Sequence, residues 1–179
     1  MIEQRIRESI AVKQELLNDR KMIETIDRAV NAVIACFSNG HRLWLCGNGG
    51  SAADAQHIAA ELSGRFYLNR PPLPAEAFTV NTSYLTAVAN DFSFNEIFSR
   101  LTQAHCRPGD ILVGISTSGN SANVLRALTL ARDSGITTIA LTGNNGGEMK
   151  HIADYSIIVP SNDTPRIQET HILIGHIIC

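Results

Sequence analysis

The stretch Leu43–Arg65, LWLCGNGGSAADAQHIAAELSGR, decides the fold. Its first four residues, Leu43-Trp44-Leu45-Cys46, form an unbroken apolar run of the length expected for one buried strand. Gly47-Asn48-Gly49-Gly50 turns the chain. From Ser51 the composition shifts to helix formers, with Ser51 placed as N-cap and Asp54 in the first turn. A strand, a glycine-rich turn and a helix N-terminus leave free backbone N–H groups and a positive dipole end, which suits an anion such as a phosphate. Further along, His57 and Glu61 stand four apart and share one helical face. They read as an acid/base or metal pair, or as a solvated surface pair. GNGGS itself fits neither the Rossmann nor the P-loop glycine spacing.

Upstream, Ile2, Ile6, Ile10 and Val12 or Leu16 recur at helical spacing among charges, predicting an amphipathic helix over 2–19 with no short-range partner. A second helix is predicted over 21–38, with Ile23, Ile26, Ala29, Val30, Val33, Ile34 and Phe37 inward and Asn39-Gly40 at its end. Downstream, Arg70–Pro74 is a rigid connection. A strand at 75–80, a short helix at 83–89 ending in Asn90-Asp91, and a helix at 95–104 follow. Strands are predicted at 111–115, 136–141 and 155–159, with a helix at about 122–132 and a short one around Met149 and Ile152. Residues 166–179 form a last apolar helix without polar capping, as in a chain cut inside that helix. Strands alternating with helices mean an α/β protein with a parallel sheet covered on both faces, a three-layer sandwich, whose ligands bind at the C-terminal strand ends.

The 179 residues are expected to form one domain, and 44% hydrophobic against 18% charged content favours a compact globule over disorder. A formal net charge of -2 argues against a nucleic-acid partner. The four cysteines, Cys36, Cys46, Cys106 and Cys179, have no CxxC spacing and read as structural thiols of a reducing compartment. The N-terminus is too charged for a signal peptide, and no apolar run approaches the ~18 residues of a membrane span. The expected location is the cytoplasm, with no membrane partner.

A second anion loop is Ser116-Thr117-Ser118-Gly119-Asn120-Ser121. A capping loop needs one hydroxyl, and this one offers four between a buried strand and a helix start. In the last helix, Gln168, His171 and His176 interrupt an apolar sequence; Gln168 and His176 are offset by about 80° around it. With His57 and Glu61 they could supply two imidazoles, a carboxylate and an amide oxygen, a donor set that suits zinc or a similar divalent ion. Spacing alone does not say whether the two helices meet.

CGNGGSAADAQHIAAELSGR, AVANDFSFNEIFSR, GISTSGNSANV, ALTGNNGG and RIQETHILIGH resemble, in order and over nearly the whole chain, the phosphoheptose isomerases of the sugar-isomerase (SIS) domain superfamily. The resemblance implies a flavodoxin-like sandwich around a five-stranded parallel sheet, preceded by N-terminal helices. It also implies a homotetramer with sites between subunits, in which residues 1–38 help form the interface. Asn48, Gly49, Gly50 and Ser51 match the first substrate loop, Asn90 and Asp91 a second substrate contact, and Ser116, Thr117, Ser118 and Ser121 the phosphate-binding serines. His57, Glu61, Gln168 and His176 match the ligands of one zinc per subunit; Glu61 and Gln168 also meet substrate, and Glu61 and His176 form the catalytic pair. Arg65 matches an arginine beside the site. Pro165 departs from members that carry an acidic residue before the arginine matching Arg166.

The implied reaction converts sedoheptulose 7-phosphate to D-glycero-D-manno-heptose 7-phosphate through an enediol, the entry to heptose for lipopolysaccharide core or related glycans. The alternatives are a non-catalytic SIS binding factor, of the kind that associates with the replication initiator DnaA, and a sugar-phosphate sensor. The DnaA-associating relative lacks the equivalents of Glu61 and His176, both of which this chain carries.

Overall fold

Five strands, β1 (Leu43–Gly47), β2 (Ala75–Ala77), β3 (Ile111–Ser116), β4 (Thr137–Thr142) and β5 (Tyr155–Ile158), make one sheet in the order β2-β1-β3-β4-β5, every pair parallel. The helices are α1 (Ile2–Asn18), α2 (Arg20–Ser38), α3 (Gly50–Ser63), α4 (Thr82–Asp91), α5 (Ile97–His105), α6 (Ala122–Asp133) and α7 (Thr164–Ile178), with short 3-10 turns at Phe94–Glu96 and Glu148–His151. The computed structural model describes all of residues 1–179.

Two apolar cores, one on each face of the sheet, explain why the strands read as continuous apolar runs. Leu43 and Leu45 of β1, Ile111, Val113 and Ile115 of β3, and Ile139 and Leu141 of β4 pack against α2, α3 and α7. Trp44 and Cys46, Leu112, and Ala140 point the other way, against α4, α5 and α6. This is the expected three-layer α/β/α sandwich. Cys36, Cys46 and Cys106 are buried in these cores, and none of the four thiols is paired.

Two local expectations are corrected. The second strand ends at Ala77 rather than Val80. Phe78 N–H still reaches Leu45 O at 2.8 Å, and then Asn81 turns the chain and caps α4 by accepting from Tyr84 N–H. On α2, Ile26, Ala29, Val33 and Cys36 are buried, whereas Ile23 and Ile34 face outward. Only part of its broad apolar surface meets the sheet. On α1, Leu16 alone is buried, and Ile2, Ile6 and Ile10 lie open. That helix is held to α7 by Lys13–Glu169 at 3.3 Å and by Arg166, whose Nη1 donates to Arg5 O at 2.7 Å.

From β1 the chain crosses one way to β2 and then returns past β1 to β3. The connections therefore diverge between β1 and β3, which opens a crevice at their C-terminal ends. Both anion-loop candidates lie there.

Candidate functional site

The first loop is shaped by its glycines. A Cβ on Gly47 would lie 2.7 Å from Ser51 O, so only glycine lets the loop fold back over the strand end. Gly49 has φ +54, in the left-handed region, and serves as N-cap. The helix thus starts at Gly50. Ser51 lies buried inside its first turn and makes no capping bond, which corrects the expected cap.

The serine loop keeps its hydroxyls together. Ser121 is the N-cap residue of α6, yet its side chain does not cap. Its hydroxyl pairs instead with that of Ser116 at 2.8 Å, and Ser116 lies 3.4 Å from the hydroxyl of Ser118. The N–H groups of Ala122 and Asn123 keep no partner within the chain, so the start of α6 holds free donors beside these hydroxyls, as an anion site would use. The segment after β4 braces this loop from behind. Gly143 N–H and Asn144 Nδ2 both donate to Thr117 O at 3.0 Å, and Met149 N–H donates to Gly119 O at 3.1 Å. Asn48 and Asn123 exchange two 2.9 Å hydrogen bonds across the crevice, joining the two loops.

The two helices whose meeting the sequence left open do meet. Gly175 of α7 packs on Ile58 of α3, where a Cβ would come within 2.6 Å of the Ile58 side chain, and Gly50 packs on the Gln168 carboxamide. As a result His57 Nε2 lies 3.3 Å from Glu61 Oε1 and 3.4 Å from His176 Nε2. Two ring nitrogens this close either share one proton-mediated contact or turn both lone pairs toward one cation. For Zn–N bonds of about 2.0–2.1 Å in a tetrahedral site, neighbouring donor atoms stand roughly 3.3–3.4 Å apart. The two separations at His57 fit that edge length. His, Cys, Asp and Glu side chains do not gather as a threesome able to hold a metal, and the Gln168 carboxamide lies against Gly50, two turns before His57 on α3.

Two neighbours of this cluster carry no sequence signal. Phe66 stacks on His176 at 5.4 Å between ring centroids and 23° between planes. Arg70 caps the end of α3, donating from Nη1 to Leu62 O at 2.8 Å and from Nη2 to Glu61 O at 3.3 Å. Both lie in the irregular segment after α3, where no periodicity marks a partner. Asp54, one turn before His57, has a buried Oδ2 without a partner; burial raises its pKa, opposed by His57.

Asn90 and Asp91 make no side-chain hydrogen bond to either loop. They are exposed on the last turn of α4, where Asn90 Nδ2 donates to Asp91 Oδ1 at 2.9 Å. Arg65 is likewise exposed and makes no hydrogen bond or ion pair. His171 is core rather than site: it is fully buried, and its Nε2 bonds Thr142 O at 2.9 Å.

Residues 7–143 match the family model of the SIS domain. The chain is 53% identical over 178 residues to the phosphoheptose isomerase of Clostridium acetobutylicum, covering 99% of this chain and 91% of that protein. Among solved structures it resembles phosphoheptose isomerase GmhA from Neisseria gonorrhoeae with a TM-score of 0.93 and 44% identity, over 99% of this chain and 94% of that one. A phosphoheptose isomerase from Francisella tularensis gives a TM-score of 0.95 at 39% identity, with the same two coverages.

Proposed function

The chain belongs to the SIS-domain family and, within it, to the phosphoheptose isomerases; we infer that it converts sedoheptulose 7-phosphate to D-glycero-D-manno-heptose 7-phosphate. The product enters heptose synthesis for lipopolysaccharide core or related glycans, and the reaction runs in the cytoplasm. What supports this reading is a hydroxyl-rich anion loop at the start of α6 together with a His–Glu–His cluster formed by α3, the helix that the glycine loop opens, and α7. Gly50 and His57 are seven residues apart on α3, about 10 Å along the helix axis, the length scale of an extended seven-carbon sugar phosphate.

In this mechanism Ser116, Thr117, Ser118 and Ser121, with the N-terminus of α6, hold the phosphate. Asn48, Gly49, Gly50 and Ser51 line the sugar's path, with Asn90, Asp91 and Arg65 as further contacts. Glu61 takes a proton from C1 of the open-chain ketose and returns it to C2. Its Oε1 lies on His57, and Oε2 has no partner in the chain. His176, its ring plane set by Phe66, moves the second proton from the C1 oxygen to the C2 oxygen. His57, Glu61, Gln168 and His176 would hold one zinc ion per subunit, which when bound polarises the carbonyl and stabilises negative charge on the enediolate.

A homotetramer with sites between subunits belongs to the same proposal. Its support is the open apolar stripe of α1. The test is turnover of sedoheptulose 7-phosphate by purified protein before and after chelation, beside Glu61→Gln and His176→Gln. Loss in both variants and a fall on chelation would support the isomerase and its metal together. Turnover indifferent to chelation would remove the zinc and keep the acid/base pair. A protein that binds the sugar without turning it over would be a sensor or binding factor instead.

A further inference from the structure

The chemistry above gives Asn123 no duty, yet this side chain is 2% exposed and hydrogen-bonded at every position its carboxamide offers to the first loop. It lies in the first turn of α6, two residues after Ser121. Its Oδ1 accepts from Val124 N–H and from Asn48 Nδ2, both at 2.9 Å, and its Nδ2 donates to Asn48 Oδ1 at 2.9 Å. The Val124 N–H fixes which end of the Asn123 amide is oxygen, since a flipped amide would set two donors face to face. Asn48 can then pair in one orientation only.

Asn48 is also where α3 begins. Its backbone carbonyl accepts from Ser51 N–H at 3.0 Å and Ala52 N–H at 3.3 Å. One residue therefore ties the helix that carries His57 and Glu61 to the helix whose N-terminus carries the serine loop. The paired amides leave Asn48, which is half-buried, one N–H and one lone pair without a partner in the chain.

We propose that Asn123 is a positioning residue, which holds the Asn48 carboxamide and so registers the first loop against the serine loop for a phosphorylated sugar. Burial keeps Asn123 out of the crevice, so its effect on a ligand passes through Asn48. The proposal rests on the isomerase reading for its substrate.

The experiment measures kcat and KM for sedoheptulose 7-phosphate, its affinity by calorimetry, and the thermal midpoint, in wild type, Asn123→Ala, Asn48→Ala and the double variant. Losing two paired hydrogen bonds should raise KM about tenfold in Asn123→Ala, with kcat changed less than KM. In the Asn48→Ala background the same substitution should add less than about twofold, because its route to the ligand is already gone. If Asn123→Ala does not fold, Asn123→Asp keeps the size and both acceptor contacts and loses only the donor. Its KM rise should also collapse in the Asn48→Ala background, whereas a through-space charge effect would persist there. A lowered thermal midpoint with KM and affinity unchanged would overturn the proposal, as would full additivity with Asn48→Ala. Should the wild type bind the sugar without turnover, the isomerase reading fails, and the affinities of the four proteins still decide on Asn123.

Discussion

The Nε2 atoms of His57 and His176 lie 3.4 Å apart although 119 positions separate the residues in the chain, and Gly175 allows the approach. It sits one residue before His176, against Ile58, the residue after His57. A side chain there would meet Ile58 at the point where the two histidines approach each other.

Gly175→Ala tests this directly. The added Cβ would lie 2.6 Å from Cδ1 and Cγ1 of Ile58, the flexible end of a side chain that can partly give way. Overpacking of this kind costs about 1–3 kcal/mol. The expected result is a lower thermal midpoint, lower isomerase activity and weaker retention of the proposed zinc, measured by metal analysis after dialysis. Ile58→Val in the same chain removes Cδ1 and should recover part of each. Full activity and zinc content in Gly175→Ala would show that the histidine approach does not depend on this contact.

Glu61→Gln separates chemistry from architecture. Glutamine keeps the size and the ability to accept from His57 but cannot take a proton, so kcat should fall about 10²–10⁴-fold. The thermal midpoint of the metal-free protein should move little, because the Glu61 side chain is a partly exposed partner of a histidine rather than part of the core. A variant retaining wild-type kcat would remove Glu61 from the proton transfer.

The strands were legible because a parallel sheet buried on both faces leaves uninterrupted apolar runs such as Leu43–Cys46 and Ile111–Ile115. Both loops were legible as strand-to-helix turns because glycine and serine cluster where a buried strand ends and a helix begins. The α3–α7 contact was not. It depends on Gly175 and Gly50 as small surfaces, and a glycine in an apolar helix carries no mark of what it faces. Asn123 was hidden for a related reason. An asparagine one turn into a helix resembles any polar first-turn residue until its partner, 75 positions away, is known. Ser51 misled because serine is a common N-cap, whereas the positive φ at Gly49 starts the helix earlier.

His171 should govern part of the acid sensitivity of the fold. It is fully buried, and burial lowers its pKa from 6.5 to about 4. The unfolded chain takes the proton below pH 6.5 and the folded one only below about 4, so within that window the unfolded state holds more protons. The contribution is complete above pH 6.5 and lost as pH falls toward about 4, on the order of 3 kcal/mol in all. His171→Gln, whose Nε2 can take the place of the ring Nε2 that meets Thr142 O, should flatten the dependence of denaturant unfolding on pH across this window. An unchanged slope would place the acid sensitivity elsewhere.

The apolar stripe of α1 tests the assembly. Ile2, Ile6 and Ile10 are 74%, 55% and 58% exposed, recur every four residues, and so form one face; α7 adjoins this helix and carries Ile177 at 54%. A single chain gains nothing from such a row in water, whereas a partner subunit would bury it at about 25 cal/mol per Å². Ile6→Glu with Ile10→Glu would set two carboxylates into that contact, and unpaired buried charge is strongly unfavourable. In sedimentation the proposed tetramer should give way to smaller species, with far-ultraviolet circular dichroism unchanged because neither residue belongs to the core. Activity should fall with the loss of the tetramer, since Asn90, Asp91 and Arg65 make no hydrogen bond to the loops of their own chain and are proposed to act across the interface. Dissociation with full activity would place the complete site within one subunit, and an unchanged mass would take α1 out of the interface.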